Sequence, residues 1–158
     1  MVCISYQTNL LLIKKMNTKQ LGNLTELQCI TRLYELGCAV SIPYGNSEKY
    51  DIVIDYNNTL YKVQIKHGNI HLDENQEVDY IIIQCRWQGH NTQGYKQFQY
   101  TEKDTDFFAT FYKNECYLIP QKECSNIKTL RIKPPKNNQQ KGVSFLADYK
   151  ATEVLKQL

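Results

Sequence analysis

The first regular pattern in the chain is an amphipathic stretch that begins after residue 16. Apolar residues recur there at intervals of three or four positions: Leu24, Leu27, Ile30 and Leu33. This spacing places them on one face of an α-helix. Asn17 or Thr18 supplies a side chain suited to the N-cap, and Gly37 suits the left-handed residue that follows a helix. The pattern predicts a helix over about residues 19–36.

Short runs rich in Val, Ile, Tyr and Phe follow the helix, and such runs are typical of β-strands. They cover residues 39–43, 50–56, 59–66, 79–85, 106–112 and 116–120. Asn57 and Asn58 separate the second run from the third, and because asparagine tolerates positive φ they predict a tight hairpin turn. The polar, acidic residues 67–78 are predicted to form a loop, and residues 146–158 a closing helix.

One domain is expected, because a chain of 158 residues holds a single core of ordinary size. We predict a peripheral arm at residues 1–16, a core over residues 17–120, and a basic segment with the closing helix over residues 121–158. Within the core, residues 86–100 mix glycine, amides, aromatic residues and cations. This mixture predicts an excursion from the core rather than a core element.

The composition excludes several classes of protein. Hydrophobic residues make up 42% of the chain and charged residues 22%, a balance typical of a globular fold. The apolar run at residues 10–13 is far too short to span a bilayer, so we expect a cytoplasmic protein with no membrane association. The six cysteines contain no CxxC pair, which argues against a zinc site and predicts reduced core thiols.

The turn at Asn57 and Asn58 determines which residues of the hairpin face one another. Antiparallel pairing about this turn opposes residues whose numbers sum to 115, so Asp51 faces Gln64. Side chains alternate along a strand, which puts Lys66 on the same face as Gln64 and diagonally across from Asp51. One hairpin is thus predicted to present a carboxylate, an amide oxygen and an ammonium group together.

These groups suit phosphodiester hydrolysis. Asp51 supplies charge for a hard divalent cation, and Gln64 and the backbone carbonyl of Ile65 supply neutral oxygen ligands. Lys66 is placed to orient or deprotonate the attacking water and to offset charge on the phosphate. Glu26 shares a stripe with apolar residues of the predicted helix and adds a second carboxylate where helix and sheet meet. The alternative is that Asp51, Lys62 and Lys66 are solvent-facing charges of an ordinary hairpin and that Glu26 is a surface residue of the helix.

A helix acid, an aspartate and a Q-x-K sequence on the following strand together resemble the motif of the PD-(D/E)XK nuclease superfamily. The stretch GNLTELQCITRLYELGCAVSIPYGNSEKYDIVIDYNNTLYKVQIKHG is similar to the small branch that includes bacterial group I intron-encoded homing endonucleases, and the similarity covers roughly residues 17–120. Tyr50 stands where the motif has proline, which has no ligand role. The resemblance implies an α/β fold with a mixed central sheet flanked by helices and extra strands or loops for DNA contact.

The resemblance also implies roles for individual residues. Glu26 matches the helix acid and Asp51 the metal-binding aspartate. Gln64 matches the variable acid position and Lys66 the motif lysine. The implied cofactor is Mg²⁺, with Mn²⁺ as an alternative, held by Asp51, Gln64, Glu26 and the carbonyl of Ile65. Because Gln64 replaces a carboxylate, a weaker metal site is expected.

Two segments offer contacts to double-stranded DNA, the expected substrate. The excursion contains cationic and amide candidates for reading bases and an aromatic candidate for stiffening the segment: Arg86, Trp87, Gln93, Lys96, Gln97 and Gln99. The basic segment contains candidates for phosphate contacts: Lys128, Arg131, Lys133, Lys136 and Lys141. The alternatives are a dimerisation arm or a self-packed hairpin for the excursion, and a solvated linker for the basic segment.

A site-specific double-stranded DNA endonuclease of the intron-homing type is the function that these features favour. One active site cuts one strand per binding event, so we expect a homodimer or a homotetramer, with residues 106–112 as a candidate interface strand. Two alternatives stay open. One is a structure-selective nuclease resembling Holliday-junction resolvases, and the other is a DNA-binding module that has lost activity, for which Gln64 is the clue.

Overall fold

The computed structural model describes residues 16–45, 47–91, 94–135 and 141–158. The helices are α1 (Thr18–Glu35) and α2 (Ala151–Leu155), with 3₁₀ turns at Gln121–Glu123 and Leu146–Tyr149. The strands in chain order are β1 (Ala39–Ser41), β2 (Ile52–Tyr56), β3 (Thr59–Ile65), β4 (Asn69–Leu72), β5 (Val78–Gln84), β6 (Arg86–Asn91), β7 (Gly94–Gln99), β8 (Phe107–Tyr112), β9 (Glu115–Pro120) and β10 (Ile127–Arg131). Residues 1–15 of the predicted arm lie outside the described residues.

The long helix α1 begins and ends where its sequence indicates. The Asn17 side chain accepts a hydrogen bond from the Gln20 backbone N–H (2.9 Å), and the Gln20 side chain accepts one from the Asn17 N–H (2.9 Å). This reciprocal pair satisfies backbone donors at the helix start. Gly37 has a φ of 89°, a left-handed conformation that glycine adopts at little cost. The predicted helix is therefore confirmed.

The central sheet has five strands in the order β1-β2-β3-β8-β9. β3 and β8 are parallel and the other neighbours are antiparallel, so the sheet is mixed, as predicted. Asn57 and Asn58 turn the chain between β2 and β3 with φ angles of 52° and 62°. Ile52 pairs with Val63, which is the register that the turn predicted.

Both faces of this sheet are covered. On one face, α1 and α2 contribute Leu33 and Leu155 to a core that includes Val63 of β3. On the other face, a three-stranded sheet in the order β10-β5-β4 packs Ile83 into a second core with Phe108 of β8. The helices thus flank one face of the central sheet, and a second sheet flanks the other.

Two strands form in segments for which no strand was predicted. β4 lies within residues 67–78, predicted as a loop, and β10 lies within the predicted basic segment. All four residues of β4 are exposed, and Leu130 is the only buried residue of β10. Even the apolar Ile70 and Leu72 of β4 are exposed, so neither strand is held mainly by burial of its own side chains. They become strands because β5, with its buried Ile81 and Ile83, offers a backbone edge on each side.

Two further predictions are corrected by the packing. The predicted helix over residues 146–158 is interrupted because Lys150 has extended backbone (φ −55°, ψ 129°) and bridges Tyr117 of β9. The candidate interface strand, residues 106–112, corresponds to β8, which lies between β3 and β9. Its residues 107–110 are buried within the chain, so β8 does not present them to a partner.

The cysteines match the prediction of reduced core thiols within the described part of the chain. Cys29, Cys38, Cys85 and Cys116 are buried free thiols, and Cys124 is a half-buried one. Among the described helices, none is long and apolar enough to cross a membrane.

Gly68, between β3 and β4, lies where the backbone passes close to the second sheet. A Cβ here would lie 2.4 Å from Ile81 Cγ2 and 3.1 Å from Thr110 Oγ1, both buried side chains. We expect Gly68→Ala to lower the free energy of unfolding by about 1–3 kcal/mol in urea denaturation, because overpacking strains a filled core. Gly22→Ala is the matched control. Its Cβ would meet no atom within 4 Å in α1, so it should stabilise by about 0.5–1 kcal/mol; equal effects would contradict this packing.

Candidate active site

The Asp51 carboxylate joins the start of β2 to the end of β3. Its Oδ2 accepts hydrogen bonds from the Ile65 backbone N–H (2.6 Å) and from Gln64 Nε2 (2.6 Å). The Asp51 backbone N–H donates to the Val63 carbonyl at 3.0 Å. The predicted juxtaposition of Asp51 and Gln64 is confirmed, and the carboxylate is held in one orientation on the hairpin.

Gln64 is a polar side chain within a buried stretch of β3, and only 8% of its surface is exposed. Its neighbours Val63 and Ile65 pack into the core beneath the helices, so the alternation of the strand turns Gln64 toward the opposite face. Gln64 Nε2 lies 2.6 Å from Asp51 Oδ2 and 3.4 Å from the Ile65 carbonyl oxygen. Asp51 Oδ2 and the Ile65 carbonyl oxygen, both predicted to bind the cation, therefore lie beside the same Gln64 amide nitrogen.

Glu26 approaches the same place from α1. Glu26 and Asp51 line a common cavity of about 250 Å³, whose wall also includes Pro43, Glu48 and Tyr50. The cavity lies between the helix and the loop that precedes β2. The structure thus brings the helix acid and the strand aspartate together, as the position of Glu26 on the helix suggested.

Glu26 and Asp51 are two carboxylates of this cavity whose charges interact in a partly desolvated space. Burial raises the pKa of Asp51, although the Ile65 N–H, the Lys66 ammonium and the Gln64 amide oppose that shift. Burial also raises the pKa of Glu26, and the charge of Asp51 raises it further. A cation between these groups would offset both the mutual repulsion and part of the desolvation cost.

Lys66 comes directly after β3 and is the third predicted member of the hairpin set. Its backbone N–H donates to the Ala109 carbonyl at 2.8 Å, which extends the pairing of β3 with β8. Burial lowers the pKa of its ammonium group, whereas the negative charge of Asp51 opposes that shift. Its Nζ lies 3.3 Å from the Tyr100 hydroxyl and 5.2 Å from the centre of that ring.

Two contacts near Lys66 were not predicted. Tyr100 was considered only as one end of the excursion, and nothing in its local sequence marks it. Thr25 Oγ1 donates to the Leu21 carbonyl (2.9 Å) and lies 2.8 Å from His67 Nδ1. The position of His67 beside the motif lysine was an available signal, whereas Thr25 offered none. The Thr25–His67 contact ties the helix that carries Glu26 to the segment that follows Lys66.

The excursion forms a two-stranded β6–β7 ribbon, separate from both larger sheets. Trp87 pairs with Phe98 across it, and their rings stack with centroids 4.4 Å apart. Arg86 Nη1 donates to Gln97 Oε1 at 2.7 Å. Three predicted contact residues have exposed side chains: Lys96, Gln97 and Gln99. Gln93 lies outside the described residues.

The predicted phosphate contacts lie at the second sheet and form ion pairs within the chain. Arg131 pairs with Asp79 at 3.0 Å. Lys133 pairs with Asp73 at 2.9 Å and also with Glu77, so the acidic residues after β4 partly neutralise the basic segment. Lys128 likewise lies 3.7 Å from a Glu123 oxygen, Lys141 is exposed, and Lys136 is outside the described residues. The ion pairs described for Lys128, Arg131 and Lys133 are all to acidic residues outside the ribbon.

The site offers the oxygen ligands that hard divalent cations prefer. They are the carboxylates of Asp51 and Glu26, the Gln64 amide and the Ile65 carbonyl. Asp51 Oδ2 and the Ile65 carbonyl oxygen both face the neutral amide nitrogen of Gln64, at 2.6 and 3.4 Å, so Gln64 places its nitrogen beside these two oxygens. No three carboxylate, thiol or imidazole side chains in the described ranges are grouped as a metal site. Two carboxylates with neutral oxygens are a ligand set that fits such a cation, which commonly keeps water in its remaining positions.

Comparison with known proteins agrees with this geometry. Residues 16–152 match the family model for the PD-(D/E)XK endonuclease. The chain belongs to this family. A solved structure described as the bacterial homing endonuclease I-Ssp6803I matches with a TM-score of 0.69 at 19% sequence identity, covering 90% of this chain and 95% of that one. At this identity the match shows a shared fold. No curated protein matches the chain.

Membership of the PD-(D/E)XK endonucleases confirms the resemblance found in the sequence and the predicted α/β fold. It makes the chain a DNA endonuclease, a hydrolase of phosphodiester bonds. Nucleases of this family generally depend on a divalent metal, which agrees with the oxygen-rich ligand set around Asp51.

We expect Asp51→Asn to raise the melting temperature of the metal-free protein at pH 7, because an amide keeps an acceptor for Ile65 and Gln64 but removes a partly buried charge. The pKa of Asp51 is higher in the folded than in the unfolded state, so its ionisation destabilises the fold as pH rises. The gain should be a few degrees, since 1 kcal/mol moves the Tm of such a domain by about 2–4 °C. It should shrink as pH falls through the raised pKa.

Thermal unfolding in chelator between pH 4 and pH 7 checks this dependence. Asp55→Asn on the same strand is the matched control and should change stability by less than about 0.5 kcal/mol at any pH. A lower melting temperature for Asp51→Asn at pH 7 would show that the carboxylate stabilises the fold, contrary to expectation.

Proposed function

We propose that this chain is a site-specific double-stranded DNA endonuclease of the intron-homing type. The observation that carries the proposal is the convergence of Asp51, Gln64 and the Ile65 carbonyl, with Lys66 beside them, in a member of an endonuclease family. The shared fold with a structure described as a homing endonuclease supports the same choice.

In this proposal Asp51, Glu26, Gln64 and the Ile65 carbonyl hold Mg²⁺, with Mn²⁺ as an alternative. When bound, the cation lowers the pKa of water and offsets charge on the scissile phosphate. The two hydrogen bonds to Asp51 Oδ2 support the proposal, because they orient the carboxylate before substrate arrives. Gln64 contributes an oxygen without charge, so the set has two carboxylates and metal affinity is expected to be weaker than with three.

Lys66 is proposed to orient the attacking water and to exchange protons with it. Burial lowers the pKa of the ammonium group, which brings the neutral amine closer to physiological pH, although the charge of Asp51 opposes this. As an ammonium group the side chain donates hydrogen bonds to phosphate oxygens, and as an amine it accepts a proton. Both roles require Nζ to stay beside the metal ligands of the hairpin.

The β6–β7 ribbon is proposed to read bases in the major groove. A two-stranded ribbon fits that groove, and the stack of Trp87 on Phe98 stiffens it. A guanidinium group pairs well with guanine and a glutamine amide with adenine. The candidates are Arg86, Gln97, Gln99 and Lys96, together with Gln93, which is a candidate from sequence alone. Arg131 and Lys133 are proposed as weaker phosphate contacts, because each must exchange an acidic partner for phosphate.

A homodimer or homotetramer is proposed as the active form. One chain supplies one set of Asp51, Gln64 and Lys66, and cutting both strands takes two sets. Two-fold symmetry would also double the contacts to a long target. A partly palindromic target site would support this assembly.

Selective cleavage of a randomised duplex library with Mg²⁺ tests the proposal. We expect cuts at one long sequence, their loss in chelator, and a fall of at least about 100-fold in Lys66→Met with DNA affinity nearly unchanged, because proton transfer and charge stabilisation are lost. Lys62→Met is the matched control. Lys62 lies on β3, four residues before Lys66, with its Nζ at the Lys103 carbonyl, and the variant should cut like wild type.

The other outcomes distinguish the alternatives. Cleavage of a four-way junction alone would select the resolvase-like nuclease, and DNA binding without any cleavage would select the inactive module. Arg86→Ala should change the preferred sequence found in the same library. An unchanged preference with lost oligomerisation would make the ribbon a dimerisation arm instead.

A further inference from the structure

Tyr100 is the residue at which the β6–β7 ribbon returns to the core, and it is 93% buried, with 7% of its surface exposed. Its hydroxyl lies 3.3 Å from Lys66 Nζ. Lys66 Nζ therefore donates a hydrogen bond to Tyr100, which lies outside the hairpin that carries Asp51 and Gln64.

The Tyr100 side chain is itself held from several directions. Its ring packs edge-on against Phe108, with centroids 5.3 Å apart and planes at 87°. Its backbone carbonyl accepts a 2.6 Å hydrogen bond from Nε2 of the buried Gln121. The next residue, Thr101, donates both its N–H and its hydroxyl to Asp104 Oδ2, each at 2.8 Å. Ring packing and backbone hydrogen bonds therefore hold the Tyr100 side chain in position.

The segment that follows Tyr100 also contacts the loop before Asp51. Asp104 Oδ1 pairs with Lys49 Nζ at 3.0 Å, and Lys49 Nζ also lies 5.1 Å from the centre of the Trp87 ring in the ribbon. Residues 100–104 form the foot of the ribbon, and they contact the chain on both sides of the site. Asp104 pairs with Lys49, two residues before Asp51, and Tyr100 contacts Lys66.

A neutral hydroxyl is a suitable partner for a lysine that must stay available to substrate. Burial raises the pKa of the Tyr100 phenol above its usual range, so it accepts a hydrogen bond from the ammonium group without bringing a negative charge. A carboxylate in its place would compete with phosphate for the same cation. The flexible four-carbon stem of lysine otherwise leaves Nζ free to leave the site.

We propose that Tyr100 is a positioning residue that holds the Lys66 ammonium at the site through its hydroxyl, and that it makes the first residue after the ribbon part of the catalytic arrangement. This inference rests on the proposed function of Lys66. It assigns a role to the junction between ribbon and core that neither the motif nor the predicted base contacts include.

Tyr100→Phe tests the proposal, because it removes the hydroxyl and keeps the ring on Phe108. We expect the single-turnover cleavage rate at saturating protein to fall about 10- to 100-fold, since a small misplacement of a catalytic group is costly. The dissociation constant for the same duplex should change by less than about twofold. In the protein without metal or DNA, NMR relaxation of the Lys66 ε-carbon should show a more mobile side chain.

Tyr61→Phe is the matched control, because Tyr61 packs edge-on against Phe107 of the same sheet at 5.7 Å and 68°. It should leave the cleavage rate and the Lys66 relaxation at wild-type values. Weaker DNA binding in Tyr100→Phe with an unchanged rate at saturation would overturn the proposal, as would unchanged Lys66 mobility. If the wild type cuts no DNA, the proposed function fails, and the Lys66 relaxation still decides whether Tyr100 positions the lysine.

Discussion

The rest of the site depends on the partly buried Asp51 carboxylate and the two hydrogen bonds that reach its Oδ2. One comes from the Ile65 backbone and the other from the Gln64 side chain, so a single oxygen connects the start of β2 to the end of β3. The hairpin register brings these groups together, and the turn at Asn57 and Asn58 sets that register. Burying the carboxylate raises its pKa and costs stability, which is expected where function requires a charge in a partly dry cavity.

Three parts of the fold meet around this carboxylate. The helix α1 supplies Glu26, the central sheet supplies Asp51, Gln64 and Lys66, and the foot of the ribbon supplies Tyr100. Each part rests on a different packing layer, since the helix covers one face of the sheet and Phe108 belongs to the core on the other face. The proposed catalytic residues and the ribbon proposed to contact DNA are therefore linked through Tyr100 and Lys49.

The features that sequence predicted well are those that local chemistry determines. Two adjacent asparagines and two β-rich runs suffice to place Asp51 opposite Gln64, and the bounds of the helix follow from its cap and from Gly37. The predicted apolar face of the helix was only partly right, because its buried residues are Thr25, Cys29 and Leu33, whereas Leu27 is 63% exposed. β4 and β10 could not be predicted in this way, because they form only where β5 provides a partner edge. Tyr100 and the ion pair of Lys133 with Asp73 were missed for the same reason, since both join residues more than 30 positions apart. A pattern within one segment does not encode such a contact.

Paramagnetic broadening of NMR signals by Mn²⁺ tests most directly whether these residues form one metal site. With Mn²⁺ added below stoichiometry, we expect the Ile65 backbone amide and the Gln64 side-chain amide to broaden first, together with signals around Glu26. In Asp51→Asn this selective broadening should disappear while the fold persists. Broadening confined to the exposed acidic residues near Asp73 and Glu77, or unchanged by Asp51→Asn, would contradict a metal site at Asp51.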